Sequence, residues 1–188
     1  MSRRLFAALS LLTVPLLPSA SPEYQAMVHK ISLIEHDRLQ PGARVVLTAA
    51  ELNAYARQEI AEVAPEGVRD PRLELGPGIA TATALIDFGK LRRAEGKPPG
   101  RIMSFLIDGE RPVTITARIQ SSGGSATVEV QQVEVSGIII EGRLLEFLIH
   151  NYLMQAYPNA KVGEPFELGH RIDRLDVQPA AVGILIGK

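Results

Sequence analysis

VTITARIQSSGGSATVEVQQVEVSGIII, residues 113–140, has the two-residue period of an antiparallel sheet. The apolar side chains of its first part stand at every second position: Val113, Ile115, Ala117 and Ile119. The Gly-containing segment Ser121–Ser125 predicts a turn, after which the alternation resumes. Because successive side chains of a strand point to opposite faces, the pattern predicts two antiparallel strands with one apolar face.

The apolar positions change from even to odd numbers along the second strand. They are Ala126, Val128 and Val130 before the change, and Val133, Val135, Gly137 and Ile139 after it. One inserted residue at Gln131-Gln132, a β-bulge, explains the change and bends the strand. We therefore predict one long, strongly curved strand that continues to Ile139.

A second hairpin is predicted upstream of this one. Leu73 and Leu75 precede the turn signal Gly76–Gly78, and a long alternating arm follows over residues 79–88. On one side this arm has small residues, and on the other it has larger ones. The small residues are Ala80, Ala82 and Ala84, and the larger ones are Ile79, Thr81, Thr83 and Leu85.

Two helices are predicted before the strands. Ser21 and Pro22 have the types preferred at the N-cap and first helical position, and apolar residues recur at helical spacing as far as Ile34. After the short apolar run 45–47, Thr48 and Glu51 form a capping box that begins a second helix, which Pro65 ends.

LLEFLIHNYLMQAY, residues 144–157, predicts a helix that is apolar around most of its circumference. A surface helix is normally apolar along one stripe only, so this one needs cover on most sides. Two further strands are predicted, Phe166–Val177 and Ala181–Ile186. The fold class is therefore α+β: a long, curved antiparallel sheet wrapped around an apolar helix, with N-terminal helices, in a single domain over residues 21–188.

A curved sheet around such a helix has either a filled concavity or an open groove. Ala80, Ala82 and Ala84 favour the groove, because small residues leave volume that Leu or Ile would fill. Burial of an acyl chain in a groove contributes about 0.8 kcal/mol per methylene. The predicted lining comprises these three alanines and, on the helix, Leu145, Leu148 and Tyr152.

Residues 1–20 are typical of a signal peptide. Arg3 and Arg4 precede an apolar run, Leu5–Leu17, and small residues follow at Ser19–Ser21. The run is shorter than the roughly 20 residues that span a bilayer. We expect a periplasmic or secreted protein whose mature chain begins near Ser21, and a retained anchor is the alternative.

Composition excludes several classes of function. The chain has no Cys, which excludes disulfides, thiolate metal sites and lipoprotein anchoring. A chain that begins at Ser21 has 18 basic and 21 acidic residues, which argues against a dedicated nucleic-acid binder.

Candidate catalytic and metal-binding residues are weak. Ser121, Ser122 and Ser125 lie in a turn signal, and no Gly-x-Ser-x-Gly motif is present. Glu146 and His150 are four residues apart, as an ordinary helical pair is, and lack a zinc-protease signature. The aspartates that accompany the predicted strands alternate with apolar or basic residues, as solvent-facing charges do: Asp87, Asp173 and Asp176. We predict a non-enzyme that needs no cofactor or metal.

A basic segment follows the second hairpin. It contains Lys90, Arg92, Arg93, Lys97 and Arg101, with Pro98-Pro99-Gly100 indicating a loop. A basic loop beside apolar residues is typical of a contact with an anionic membrane surface. The alternative is a solvated loop next to a buried strand.

Four features resemble a known group of proteins: Thr48–Tyr55, the strand end Ala84–Phe88, the strand that leads into Gly137–Ile140, and the apolar helix that ends at Tyr157-Pro158. In this order they resemble bacterial envelope proteins of the YpmS-like and lipomannan-elongation-factor-like type, which are distantly similar to tubular lipid-binding (TULIP) domains. The resemblance spans roughly residues 40–188 and implies an extracytoplasmic α+β domain that holds a hydrophobic ligand. It transfers no catalytic residue.

Two functions are therefore expected from the sequence. The first is binding or carriage of a lipid or acyl-chain ligand in a groove between sheet and helix, with a possible peripheral contact to an anionic membrane and none to nucleic acid. The alternative is a structural or assembly factor of the envelope with a fully packed core, whose partner is another protein.

Overall fold

The computed structural model describes residues 21–63, 67–90, 109–150 and 161–188, with the side chains of Val63, Phe147 and Leu148 excepted. Its helices are α1 (Pro22–Glu35), α2 (Ala49–Val63) and α3 (Gly142–Leu148). Its strands are β1 (Arg44–Thr48), β2 (Val68–Gly76), β3 (Ile79–Asp87), β4 (Glu110–Ser122), β5 (Ser125–Val135), β6 (Ile138–Glu141), β7 (Phe166–Glu167), β8 (Ile172–Gln178) and β9 (Ala181–Ile186). The predicted signal peptide lies outside the described residues.

The strands form two antiparallel sheets. The large sheet has the order β2-β3-β4-β5-β6, and β7 also pairs with β5. The small sheet has the order β1-β9-β8. Every strand pair within the two sheets is antiparallel and helices pack beside them, so the predicted α+β class is confirmed.

The predicted bulge is present at Gln131. Thr116 pairs with Gln132 and Ala117 pairs with Val130, which leaves Gln131 as the additional residue on β5. The apolar side chains on both sides of the bulge consequently share one face, and a bulge bends its strand.

The predicted single strand from Ala126 to Ile139 is wrong at its end. Strand β5 stops at Val135, and the chain reverses at Ser136-Gly137 so that β6 pairs back onto it. Both turn residues have positive φ, 52° for Ser136 and 84° for Gly137, as a two-residue hairpin turn of type I′ requires. The reversal places Ile138 and Ile140, rather than Ile139, on the same face as Val133 and Val135.

The predicted strand Phe166–Val177 is two strands. Gly169, His170 and Arg171 all have positive φ, of 67°, 42° and 54°. Three consecutive residues in this region turn the chain, since an extended strand needs negative φ. As a result β7 pairs with β5 of the large sheet and β8 pairs with β9 of the small sheet.

The best-buried cluster lies between α1 and the small sheet. The alternation of β1 directs Val45 and Leu47 inward and Arg44, Val46 and Thr48 outward. The cluster comprises Met27, Ile34, Val45, Leu47, Ile184 and Ile186. It joins the first helix to β1 and to β9, the last strand of the chain.

The capping box at the start of α2 is confirmed and carries an additional ion pair. The Glu51 carboxylate accepts from the Thr48 amide at 2.8 Å, and Thr48 Oγ1 accepts from the Glu51 amide at 3.2 Å. Lys30 of α1 donates to the same carboxylate at 2.7 Å and to the Val46 carbonyl at 2.7 Å. Glu51 is buried, so it links α1, β1 and α2 through one charged group.

Asn53 attaches α2 to the edge of the large sheet. Its Oδ1 accepts from the Leu73 amide at 2.7 Å, and its Nδ2 donates to the Leu73 carbonyl at 2.8 Å. Nδ2 also donates to the Ala49 carbonyl at 2.8 Å. The side-chain amide thus satisfies the backbone of edge strand β2 as a further strand would, and it protects that edge from pairing with other chains.

The predicted helix over residues 143–157 is described over its first part only. α3 begins at Gly142 and packs against β5 and β6, and Leu145 is buried. Residues 151–160 lie outside the described residues, so the wrapping of the large sheet around the whole helix stays a prediction.

Candidate ligand-binding face of the large sheet

One face of the large sheet is apolar across its paired strands. Cross-strand partners share a face, so the registers β2–β3, β3–β4, β4–β5 and β5–β6 place one continuous set of side chains together. The set comprises Leu73, Leu75, Ala80, Ala82, Ala84, Ile86, Val113, Ile115, Ala117, Ile119, Ala126, Val128, Val130, Val133, Val135, Ile138 and Ile140. We call it the apolar face.

The opposite face has the composition of a solvated surface. Thr81 pairs with Thr116, Thr83 with Thr114, and Arg118 with Glu129. The predicted separation of the alanines from Thr81 and Thr83 is therefore confirmed.

The middle of the apolar face is incompletely covered. Ala82 pairs with Leu73 on one side and with Ile115 on the other, and Ala82 is exposed. Ile115 keeps 37% of its surface exposed, although it lies on a central strand of the sheet. Two residues away Val113 is buried, so the exposure is local.

One end of the apolar face is closed by the small sheet, through the free edge of β8. Ser121 Oγ accepts from the Leu175 amide and donates to the Leu175 carbonyl, both at 2.7 Å. Gly78 donates to the Val177 carbonyl at 2.9 Å, and Gly124 donates to the Asp173 carbonyl at 2.8 Å. The β2–β3 and β4–β5 turns thereby supply hydrogen bonds to the edge of β8 that has no neighbouring strand.

The opposite end holds an arginine. Arg111 pairs with Ile86 and, by the alternation of β4, lies on the apolar face beyond Val113. Among the described residues, its Nε is a buried atom that has no hydrogen-bond partner. We call this the arginine end.

The same end exposes apolar side chains. Ile138 and Ile139 at the β5–β6 turn are 60% and 55% exposed. Leu144, which is 57% exposed, follows the other end of β6 at the start of α3. Lys90, which is exposed, follows the end of β3, and its amide donates to Asp87 Oδ1 at 2.9 Å.

The predicted groove residues are brought together in part. Ala80, Ala82 and Ala84 share the apolar face, and Leu145 lies on α3, which contacts β5 and β6. The Leu148 side chain and Tyr152 lie outside the described residues. Of the predicted membrane-contact residues Lys90 is described, whereas the others lie outside the described part of the chain: Arg92, Arg93, Lys97 and Arg101.

Two of the candidate catalytic residues, Ser121 and Asp176, have structural partners. Ser121 makes the contacts to Leu175 given above. Asp176 accepts from Gln178 and from Arg44 at 2.8 and 2.7 Å, and these bonds hold the pKa of its carboxyl below the usual range. Within residues 21–63, 67–90, 109–150 and 161–188, no three His, Asp or Glu side chains come together as a metal site would require.

Two open clefts lie beside the large sheet, and the first reaches Leu73, the β2 partner of Ala82. A cleft of about 620 Å³ beside α2 and β2 is mostly polar, and one of about 700 Å³ lies beside β7. The first is lined by Glu23, Ala50, Asn53, Arg57, Arg72, Leu73 and Glu74, and the second by Ser125, Lys161, Pro165, Phe166 and Glu167. Neither lining includes a predicted groove residue.

Arg111 was not predicted from the sequence. In the sequence it stands between Glu110 and Pro112, a context that is typical of a polar loop end. The signal that identifies it is its odd position, which shares the parity of Val113 and Ile115 and so predicts the apolar face.

No family model matches the sequence, and no curated protein matches it significantly. The resemblance to lipid-binding envelope proteins therefore stays a prediction. No helix in the described part of the chain has the length and apolar character needed to cross a membrane.

Proposed function

We propose that the protein is a non-catalytic, extracytoplasmic binder or carrier of a lipid or other hydrophobic ligand, held on the apolar face. The observation that carries this proposal is the exposure of Ala82 and Ile115 at the centre of an otherwise continuous apolar surface. A face of this kind is covered in a stable soluble protein, and exposed apolar patches of this kind mark ligand-binding or protein-binding sites.

Two further features support a ligand rather than a missing core element. On this face β3 contributes half-buried Ala80 and Ala84 and exposed Ala82, which leave depth between the bulkier residues of β2 and β4. Among the described residues the small sheet closes one end of the apolar face, so a ligand there would occupy a trough with one blocked end. Each methylene of an acyl chain placed there would contribute about 0.8 kcal/mol.

The direct experiment is purification without detergent, followed by lipid extraction and mass spectrometry. Ala82→Glu provides the matched perturbation, because it places a carboxylate at the centre of the apolar face. Thr83→Glu is the control, since it adds the same charge on the opposite face of the same strand. We expect co-purified lipid and fluorescent fatty-acid binding to be lost in Ala82→Glu and kept in Thr83→Glu. Equal behaviour of the two variants contradicts the proposal.

We also propose a peripheral contact with an anionic membrane at the arginine end. Exposed Ile138 and Ile139 lie at the same end of the large sheet as Lys90, so apolar and basic side chains are presented together. Anionic headgroups attract such basic residues, and the attraction is screened over about 8 Å at physiological salt.

Vesicle sedimentation tests this contact. Ile138→Ser with Ile139→Ser should reduce binding to vesicles that contain an anionic phospholipid, and added salt should reduce binding of the parent protein. Val46→Ser is the control, because Val46 is 45% exposed but lies in β1 of the small sheet. Salt-independent binding, or equal loss in the control, refutes the contact.

The competing function is an envelope assembly factor that binds another protein. The exposed residues Ile138, Ile139 and Leu144 favour it, since apolar side chains at a turn and a helix start suit a protein interface as well as a membrane. This function requires a filled core, so it predicts that neither lipid nor probe binds. It also predicts that Ala82→Leu overpacks the interior and lowers the free energy of unfolding by about 1–3 kcal/mol.

A further inference from the structure

The guanidinium of Arg111 stands in an unusual environment for a charged group. Its Nε is buried although the residue as a whole is half-buried, and Nε has no hydrogen-bond partner among the described residues. Arg111 pairs with Ile86 and shares the face of Val113. A buried donor without a partner is destabilising, and natural structures contain few of them. The burial of this unpartnered donor therefore calls for a structural or functional explanation.

The acidic side chains nearest in the sheet do not supply a partner. Glu110 and Asp87 are paired with one another in the register, one position along from Arg111, so their side chains lie on the opposite face. Glu110 accepts from Arg69 at 2.8 Å, and Asp87 accepts from the Lys90 amide. Both carboxylates are thus already engaged elsewhere.

Arg118 on the same strand shows the ordinary arrangement. It lies on the polar face, is exposed, and its Nε donates to the side-chain oxygen of Gln131 at 2.8 Å. The two arginines differ in the face they occupy and in whether Nε has a partner within the described chain.

We propose that Arg111 binds the anionic head group of an amphiphilic ligand whose apolar chain lies along the apolar face. The inference rests on the proposed function, and it specifies the ligand as an acyl or alkyl chain that ends in a carboxylate or a phosphate monoester. From Ile119, next to the closed end, to Arg111 is eight residues of β4, or about 26 Å at roughly 3.3 Å per residue, which is room for a long chain.

The guanidinium suits this role chemically. Its planar fork donates two parallel N–H bonds to one carboxylate or phosphate, and Nε is one of the two donors in the side-on form. An incoming anion would accept from the unpartnered Nε and pair with the guanidinium charge in one step. The neutral remainder of the ligand would meet only apolar side chains.

Three probes of equal chain length separate head group from chain: a fluorescent fatty acid, its methyl ester and the corresponding alkyl phosphate. Affinities are measured for the parent protein, for Arg111→Met and for the control Arg118→Met. A hydrogen bond to a charged group contributes about 1.5–3 kcal/mol, so we expect Arg111→Met to weaken binding of the anionic probes by about 10- to 150-fold. The ester should bind both proteins equally, and Arg118→Met should bind all probes as the parent does. The ratio of fatty acid to alkyl phosphate affinity identifies which anion the site prefers.

A second measurement separates a ligand-binding arginine from a structural one. Without ligand, Arg111→Met should melt at the same temperature as the parent or higher, because it removes a buried N–H donor that has no partner among the described residues and substitutes an apolar side chain of similar length. A clear loss of thermal stability together with unchanged anion affinity would overturn the inference.

The outcomes also distinguish this inference from the function on which it rests. If the ester binds the parent protein as tightly as the fatty acid and the alkyl phosphate do, Arg111 has no role in recognition and the proposed function still stands. If none of the three probes binds the parent protein, both are refuted.

Discussion

Asn53 should be among the most sensitive polar side chains of the domain. Replacement by Leu keeps the approximate volume but removes the two bonds to Leu73 and the bond to Ala49, at 2.7–2.8 Å. Each bond contributes about 1 kcal/mol net, and a stranded, partly buried backbone group costs about 1–3 kcal/mol. Because water can reach part of an edge strand, we expect a loss of about 2–4 kcal/mol in the free energy of unfolding.

Urea denaturation followed by circular dichroism measures this loss, and two variants calibrate it. Asn53→Asp keeps an acceptor for the Leu73 amide but places a carboxylate oxygen against the Ala49 and Leu73 carbonyls, so its loss at pH 7 should be at least as large as that of Asn53→Leu. Gln58→Leu lies on the same helix, where its side chain contacts only exposed Glu62 at 3.3 Å among the described partners, and it should stay within about 0.5 kcal/mol of the parent.

Hydrogen exchange gives the second readout, because the Leu73 amide should lose protection in Asn53→Leu. If Asn53→Leu unfolds within about 0.5 kcal/mol of the parent and the Leu73 amide stays protected, Asn53 does not hold β2, and the attachment of α2 to the large sheet has to be explained by packing alone.

Four further outcomes are expected. Burial raises the pKa of Glu51, but the hydrogen bonds from Lys30 and Thr48 outweigh this effect and hold the pKa below its ordinary value. The ionised carboxylate therefore stabilises the fold above about pH 4.3, and this stabilisation is lost as pH falls through the lowered pKa. Glu51→Gln should destabilise the fold at pH 7 and much less at pH 2, which urea titrations at the two pH values measure. Gly137→Ala should lower the free energy of unfolding by about 1–2 kcal/mol, because φ is 84° there and a Cβ is strained at positive φ. No atom lies within 4 Å of the added Cβ, so backbone strain alone should account for the loss seen in a thermal melt. Deletion of Gln131 should preserve the fold, because the residues on either side keep their faces, but it straightens β5 and should weaken fatty-acid binding, whereas deletion of Glu134 should destabilise the sheet. Cell fractionation and N-terminal sequencing should find the chain exported and beginning near Ser21; full-length protein in the cytoplasm would contradict export.

The parts of the fold that depend on local alternation were predictable. The side of the sheet that holds Ala82 and the bulge at Gln131 both follow from the parity of neighbouring residues, which a strand converts directly into faces. The Ser136-Gly137 reversal was missed because Gly137 fits the odd-numbered apolar set. Three consecutive Ile residues follow it, and a run without alternation has no readable parity.

The parts that depend on distant segments were not predictable. Nothing in the run that contains Val45 specifies Ile184 as its partner, since pairing between remote strands is decided by the assembled core. The site was predicted to the same extent as the fold. The alanines follow from local pattern, whereas the burial of Arg111 depends on Ile86 and on the sheet that surrounds both.

The pairing of β1 with β9 constrains the kinetics of folding. Val45 meets Ile184, a residue far along the sequence, so the core around α1 cannot close until the chain has been made at least as far as Ile186. Contacts of such high sequence separation slow folding, because the entropy of closing a long loop is lost before the contacts form. Met27, Ile34 and Leu47 consequently remain uncovered in the growing chain, and a holding chaperone that binds apolar segments would find them available for that whole interval.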